Sequence, residues 1–328
     1  MAGIIKVAVL GAGGLGRACA AIMAKKKQMR LVAICDKKGY AYLPDGLDAD
    51  AINSIKIDGT VGDLDCGQRV NDSIGEIIRI SEKIDGIFIA LPNLPNDFMF
   101  NVVKRFIVAG YKGCFVDTLK RTSAMEMMFR LHGDLRQANS TYITGCGATP
   151  GLLTAAAVIA AQSFIKVENV DIWWGVGIAN WEEYKATIRE DIAHLPGYTV
   201  DTALFMSDKE VEELLDKTNG LLELHEMEHA DDLLLERVGV VDSRDKVTVG
   251  GIMDTRNAKK PVSTTMTLTG ITFDGKQSSH KFILGDETTM AANVVGPALG
   301  YLKRSLWMNQ HRIYGIYGST EFMPCVVQ

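Results

Sequence analysis

The sequence lacks most of what would mark a special environment. No stretch approaches the roughly 20 consecutive apolar residues that a membrane-spanning helix needs, so no membrane partner is expected. Its six cysteines (Cys19, Cys35, Cys66, Cys114, Cys146 and Cys325) are scattered, with no CxxC pair and no His/Cys group at metal-ligand spacing. That argues against a disulfide framework and against a metal centre. Several lie in apolar strand-like runs, where a free thiol is a small hydrophobe, and reduced thiols point to a cytoplasmic protein. Charge of one sign is also missing: the formal net charge of −5 gives no reason to expect nucleic acid as a partner. The short runs Lys25-Lys26-Lys27 and Lys37-Lys38 are too brief to change that. Residues 1–10 (MAGIIKVAVL) lack a basic n-region and enter a glycine loop, so they do not read as a signal peptide. Internal repeats, low-complexity tracts and flexible linkers are absent.

What remains is an ordinary globular composition, 47% apolar and 23% charged over 328 residues, long enough for about two domains. Residues 4–10 form a β-branched run of the kind found in buried parallel strands. Apolar residues then recur at helical spacing over 15–27, and residues 31–35 (LVAIC) make a second strand closed by Asp36. The alternation continues with a helix at 73–83, a strand at 86–91, a helix at 97–109 and a strand at 113–117. A helix at 122–138 and a strand at 141–144 complete it, while 45–67 has no clear period. Alternating order predicts an α/β fold with a doubly wound parallel sheet. Beyond residue 145 the pattern changes. A helix at 152–163, strands near 168–174, a helix at 181–191, and acidic Leu-rich helical sequence over 208–236 come first. Strands at 262–273 and 278–285 follow, joined by Asp274-Gly275, a strong hairpin signal. A last helix covers 287–304. The expected division is a dinucleotide-binding Rossmann domain over 1–145, completed by 290–328, and an α+β open-sheet domain for substrate and dimerisation over 146–289.

The glycines after the first strand carry the functional signal. Gly11, Gly13 and Gly16 form G-A-G-G-L-G between strand and helix, with Gly14 and Leu15 opening the helix. In that context the loop allows a tight turn, close approach to a pyrophosphate and close helix packing, and the helix start offers N–H groups to phosphate. Asp36 ends the second strand 20 positions past Gly16, where a carboxylate accepts from the ribose hydroxyls and repels a 2′-phosphate. That favours NAD. Lys37 and Lys38 follow at once and leave NADP open. The strand-end loops at Leu91, Pro92 and Asn93, and at Asp117 and Thr118, fall on the same carboxyl edge, where the nicotinamide reaches.

Four features resemble the saccharopine dehydrogenase-like oxidoreductases, the group that includes diaminopimelate dehydrogenase and lysine 6-dehydrogenase. They are the GAGGLGR loop, the strand ending Phe115-Val116-Asp117-Thr118, the GCGATPG loop at 145–151, and the WWGVG strand at 173–177 that leads to Leu195-Pro196-Gly197. The resemblance implies a homodimer, an amino-acid-like small-molecule substrate, and hydride transfer between nicotinamide and the carbon of a C–N bond. It places Thr149, Pro150, Gly151, Asp117 and Thr118 beside the substrate, and a similar family loop falls at 285–289. Two departures count against diaminopimelate itself. Thr149 stands where many members have Asp, and Ala193-His194 stand where that enzyme has arginines, leaving Arg189 as a substitute carboxylate clamp.

Oxidising an amine to an imine requires the amine to lose a proton before hydride leaves. Asp117, at a strand end, and His194, at a helix end, are the candidate bases. Trp173, Trp174 and Trp181 are candidate pocket walls, with Trp174 assigned to substrate, although core packing accounts for them equally. The string His225-Glu226-Met227-Glu228-His229 matches the His-Glu-x-x-His of zinc proteases. It falls within acidic helical sequence with no evident third ligand, so no metal is expected. Two other readings stay open: a CH–OH dehydrogenase of the homoserine or sugar type, and a non-catalytic NAD(P)-binding regulator. The sugar class usually ends its fifth strand with Glu-Lys-Pro, which Asp117-Thr118-Leu119-Lys120 does not match.

Overall fold

Apolar strands flanked by amphipathic helices assemble here into two separate units. The computed structural model describes residues 3–328 except 57, 94, 179–180 and 286–288. The first unit comprises Met1–Leu119, Ser123–Gly151 and Ala291–Gln328. The second comprises Lys120–Thr122 and Leu152–Met290.

In the first unit β1 (Ile5–Leu10), α1 (Gly14–Met23) and β2 (Met29–Asp36) form the expected βαβ unit. The chain then departs from strict alternation. Asp36 is followed by a tight turn into β3 (Gly39–Tyr42), which runs antiparallel to β2, and after α2 (Ala49–Asn53) comes the short β4 (Gly67–Arg69), antiparallel to β3. The aperiodic stretch therefore makes an antiparallel edge. Alternation resumes with α3 (Ser73–Arg79), β5 (Gly86–Ile89), α4 (Phe98–Val108), β6 (Cys114–Asp117), α5 (Thr122–Phe129), α6 (His132–Gln137) and β7 (Thr141–Thr144). The eight-stranded sheet has the order β13-β7-β6-β5-β1-β2-β3-β4, where β13 (Gly315–Gly318) pairs in parallel with β7. A continuous core joins Val7, Val9, Phe88, Val116 and Ile143 to Tyr301 and Leu302, which lie on the long helix before β13.

The second unit opens with α7 (Leu152–Ala161) and the long β8 (Phe164–Gly177), followed by α8 (Lys185–Ile192), α9 (Val200–Phe205) and α10 (Asp208–Lys217). After these come β9 (Leu221–Leu224), α11 (Asp231–Arg237), β10 (Val247–Asp254), β11 (Thr265–Thr272) and β12 (Gln277–Ile283). The last helix, α12 (Met290–Gln310), carries the chain into β13. The sheet order is β12-β11-β8-β10-β9, with only β8 and β10 parallel. Alternation in β11 works as its sequence predicts, Met266 and Leu268 being buried while Thr265, Thr267 and Thr269 are half-buried on the other face. Gly275, at φ +78°, turns the hairpin into β12. Among the described residues no helix is long and apolar enough to cross a membrane.

Candidate functional site

The glycine loop has the geometry a dinucleotide needs. Gly11 has φ +104°, and a Cβ there would overlap the carbonyl of Ala90. A Cβ on Gly16 would overlap the carbonyl of Gly11, so both positions exclude any larger residue. Gly13 differs, because a Cβ there meets nothing within 4 Å. Open space over the first residue before α1 is what a phosphate requires, and the free N–H groups of the helix start face such a ligand. Gly14 and Leu15 form the first turn of α1. Leu91 adjoins the loop, its Cδ2 lying 3.6 Å from the position of a Gly11 Cβ; Pro92 is exposed and Asn93 half-buried. These residues fit a nicotinamide dinucleotide.

Two strand-end carboxylates are tied to the protein itself. Asp36 accepts from Lys38 N (2.7 Å), Gly39 N (3.0 Å), Thr60 Oγ1 (2.8 Å) and Val61 N (2.8 Å). Asp117 is fully buried and accepts from Tyr142 Oη (2.7 Å), Thr144 Oγ1 (2.8 Å), Gly145 N (2.8 Å) and Leu119 N (2.9 Å). A carboxylate offers about four acceptor positions; at Asp117 the protein's own donors take them up on both oxygens, and at Asp36 three donors meet Oδ1 and one meets Oδ2. Burial raises the Asp117 carboxyl above its ordinary range against the pull of those hydrogen bonds. The strand-end carboxylate expected as a candidate base thus has a structural role: the side chain locks β6 to β7 and to the Gly145 turn. Next to it Thr118 is half-buried, and its Cβ lies 3.6 Å from the position of a Gly147 Cβ. In the GCGATPG loop Thr149 is half-buried, Pro150 and Gly151 are buried, and Gly147 and Gly151 form a bridge.

A buried ionic cluster lies in the second unit, around a residue that sequence analysis passed over. Lys120 Nζ is 2.5 Å from Asp191 Oδ1 and 3.4 Å from Glu190 Oε2, and both carboxylates are almost wholly buried on α8. Burial works to discharge this amine; Asp191 and Glu190 overcome it and hold the ammonium above the ordinary lysine range. Arg121, also buried, pairs with Glu228 at 2.6 Å. The main chain is fixed alongside, Ala230 N donating to the Lys120 carbonyl at 2.7 Å and Thr122 Oγ1 to Asp232 at 2.9 Å. His194 follows one turn after Glu190. Burial pushes its imidazole down to about 4, and the cations of Lys120 and Arg121 act in the same direction. It is neutral at pH 7. In these pairs the cations of Lys120 and Arg121 meet the carboxylates of Glu190, Asp191 and Glu228.

A relative, (S)-8-amino-7-oxononanoate synthase BioU of Haloferax mediterranei, is 44% identical over 98% of this chain and 99% of its own length. The chain belongs to the BioU family. Among solved structures, an engineered D-amino acid dehydrogenase bound to NADP+ matches with a TM-score of 0.58 at 16% identity, covering 97% of this chain and 94% of the other. The C. glutamicum DAP dehydrogenase in complex with DAP also scores 0.58 at 16% identity, covering 97% and 93%. At such identity the likeness shows the fold, an α/β sheet with a second sheet-bearing domain. The resemblance to diaminopimelate dehydrogenase holds at that level, whereas the family shown is BioU. No protein-family profile matches the chain.

In this BioU-family chain several expected site residues serve the scaffold. Arg189 Nη1 donates to the carbonyls of Ala203 (3.2 Å) and Met206, and Nη2 reaches Asp208 Oδ1 at 2.7 Å. It pins α8 to α9 and α10, so the structure corrects its reading as a substrate clamp. Trp174 is buried over Gly251, where a Cβ would strike its ring, and is a packing residue rather than an open pocket wall. The 225–229 segment is not helical. Glu226 has φ +46° and Met227 N donates to Val249 O at 2.9 Å, so the chain runs on along the sheet and the two histidines share no helix face. His225 is exposed, whereas His229 is buried with Nδ1 2.6 Å from Asp231. Of the 285–289 loop, residues 286–288 lie outside the described residues.

Proposed function

We propose that the chain is an NAD(P)-dependent oxidoreductase acting on a CH–NH or C=N bond of an amino-acid-derived substrate, an α-amino ketone acid of the (S)-8-amino-7-oxononanoate kind named in its relative. The observation that carries this reading is the charged cluster around Lys120. Its buried carboxylates, with His194 neutral, suit an incoming ammonium group, and Glu190 and Asp191 are proton acceptors for an amine that must become neutral. Gly11, Gly13, Gly14, Leu15 and Gly16 would hold the pyrophosphate, with Leu91, Pro92, Asn93 and Thr118 along the nicotinamide edge. When bound, the nicotinamide supplies hydride chemistry. Thr149, Pro150 and Gly151 form the loop we assign to the rest of the substrate.

The reading includes a cytoplasmic homodimer, supported by six free cysteines and by the more open sheet face bearing Trp173, Thr265 and Ile283. Light scattering of the full chain tests that assembly. The function is tested by following nicotinamide absorbance with (S)-8-amino-7-oxononanoate, with amine and semialdehyde pairs, and with simple hydroxy acids and ketones. Cofactor conversion only with the nitrogen-bearing partners is expected. Conversion with hydroxy acids or ketones alone would overturn the C–N reading in favour of CH–OH chemistry, and tight binding with no conversion would favour a regulator.

A further inference from the structure

Asp36 occupies the position at which Rossmann folds read the ribose of NAD, yet most of its acceptor capacity is engaged by the protein. Four donors converge on it from the β2–β3 turn (Lys38 N and Gly39 N) and from the following segment (Thr60 Oγ1 and Val61 N). Three of these donors meet Oδ1 and one meets Oδ2, so a pair of ribose hydroxyls would have to compete with donors that hold the antiparallel edge together. The surrounding side chains are mostly cationic. Lys37 is exposed at the turn, and Lys38 reaches the carbonyl of Asp58 at 2.8 Å. Arg17, one residue past the glycine loop, directs Nη1 to Ile55 O at 2.5 Å and Nη2 to Lys56 O at 3.4 Å, which brings the exposed Lys56 into the same neighbourhood. Lys38 and Arg17 thus hydrogen-bond to main-chain carbonyls, which leave their charge in place. Opposing them are Asp36, screened by its donors, the exposed Asp58, and the exposed Asp63, which pairs with Arg69 at 2.5 Å and feels the charge of Lys38.

We infer that this edge is a 2′-phosphate subsite, with Lys37 and Lys38 as its specificity-determining residues, and that the chain prefers NADP(H) to NAD(H). This rests on the dinucleotide reading above and sharpens it. Asp36 anchors the turn, no longer discriminates against the phosphate, and presents the two lysines in its place. A 2′-phosphate carries about −1.5 to −2 charges near pH 7, which the lysines, Arg17 and Lys56 attract.

The test is calorimetric titration of the full chain with NADP+ and with NAD+, at low and high salt, which needs no turnover. NADP+ is expected to bind about tenfold more tightly or better, and the ratio should fall as salt screens the lysines. In Lys37→Glu/Lys38→Glu the ratio should approach one, with thermal melting confirming that the fold is kept. Equal or tighter binding of NAD+ by the unaltered chain, or a ratio that survives the double charge reversal, would overturn the inference. Asp36→Asn adds a check through the anchor: a lower melting temperature with the preference intact is expected. A selective loss of NAD+ affinity without any change in melting would mean that Asp36 reads the ribose after all, and the inference fails. If neither nucleotide binds, the dinucleotide reading falls and takes the subsite with it.

Discussion

Two carboxylate clusters, one in each unit, are neutralised by opposite means. In the first, Asp117 is met by four neutral donors from the strand ends around it. In the second, the buried Glu190 and Asp191 are met by the ammonium of Lys120, and the half-buried Glu228 by Arg121. Neutral donors make a lock: short-range, insensitive to salt and with nothing to exchange. Ion pairs make a site, because a charged ligand can take the place of a charged partner, and removal of one member leaves the others buried without compensation. The strongest test of this contrast is Lys120→Met. We expect no cofactor conversion and a loss of about 3–5 kcal/mol of stability, measured by urea unfolding. Near-normal stability would show that Glu190 and Asp191 do not depend on the amine.

A smaller but sharper split is expected within the glycine loop. Gly16→Ala would drive a methyl into the Gly11 carbonyl and should cost about 1–3 kcal/mol, the usual penalty of overpacking. Gly13→Ala meets open space and should leave stability within about 0.5 kcal/mol while weakening dinucleotide binding at least tenfold. If both variants melt alike and both still bind, the space over Gly13 is not the phosphate cradle.

The same contrast explains what could be read from sequence. The loop from Gly11 to Gly16 is local, and its glycines state backbone requirements that any reader of the chain can recover. So does Asp274-Gly275. The Lys120 cluster joins residues some 70 positions apart through tertiary packing, which no local period records. Residues 208–236 were expected as continuous helical sequence because their acids and leucines are helix formers. Asn219 and Gly220, at φ +53° and +80°, end α10 and open β9 instead. That Asn-Gly turn was the available signal. Strand β10 escaped notice because Gly250-Gly251 interrupts its alternation. Both glycines are required by close neighbours, a Gly250 Cβ falling 2.7 Å from the Trp173 ring and a Gly251 Cβ striking Trp174. Asp36 was recognised by position, but its hydrogen bonds come from a segment whose sequence has no period to announce them.

Asp117 should respond gently to its nearest isostere. In Asp117→Asn the side-chain oxygen can still accept from the Leu119 and Gly145 N–H groups. The amide can donate to Tyr142 and Thr144, whose hydroxyls can reverse. A loss of about 1 kcal/mol is expected at neutral pH. Because burial raises the Asp117 carboxyl in the folded state, the stability it contributes is fully present below its ordinary value of 3.8 and is lost as pH rises through the folded value. Urea unfolding of protein and variant across acidic pH should therefore show the native chain losing ground to Asp117→Asn as pH rises. A difference independent of pH would mean that Asp117 is not held in a raised state.

His194 should show the opposite slope, which makes it the finest discriminator between the two units. Its folded-state value is about 4 against an ordinary 6.5, a depression caused first by burial and then by Lys120 and Arg121. Between those values the unfolded chain carries a proton that the folded chain does not. Stability from this group is therefore complete above pH 6.5 and is lost as pH falls toward 4. His194→Gln removes the titration, so the advantage of the native chain over the variant should shrink as pH drops through that window. The effect is small because the ring is only half-buried. In Lys120→Met/His194→Gln, compared with Lys120→Met alone, the window should narrow from its acidic side, since one of the cations that depress the imidazole is gone. Parallel stability curves for the native chain and His194→Gln would remove the imidazole from the charged cluster. The second unit would then rest on the Lys120 and Arg121 ion pairs alone.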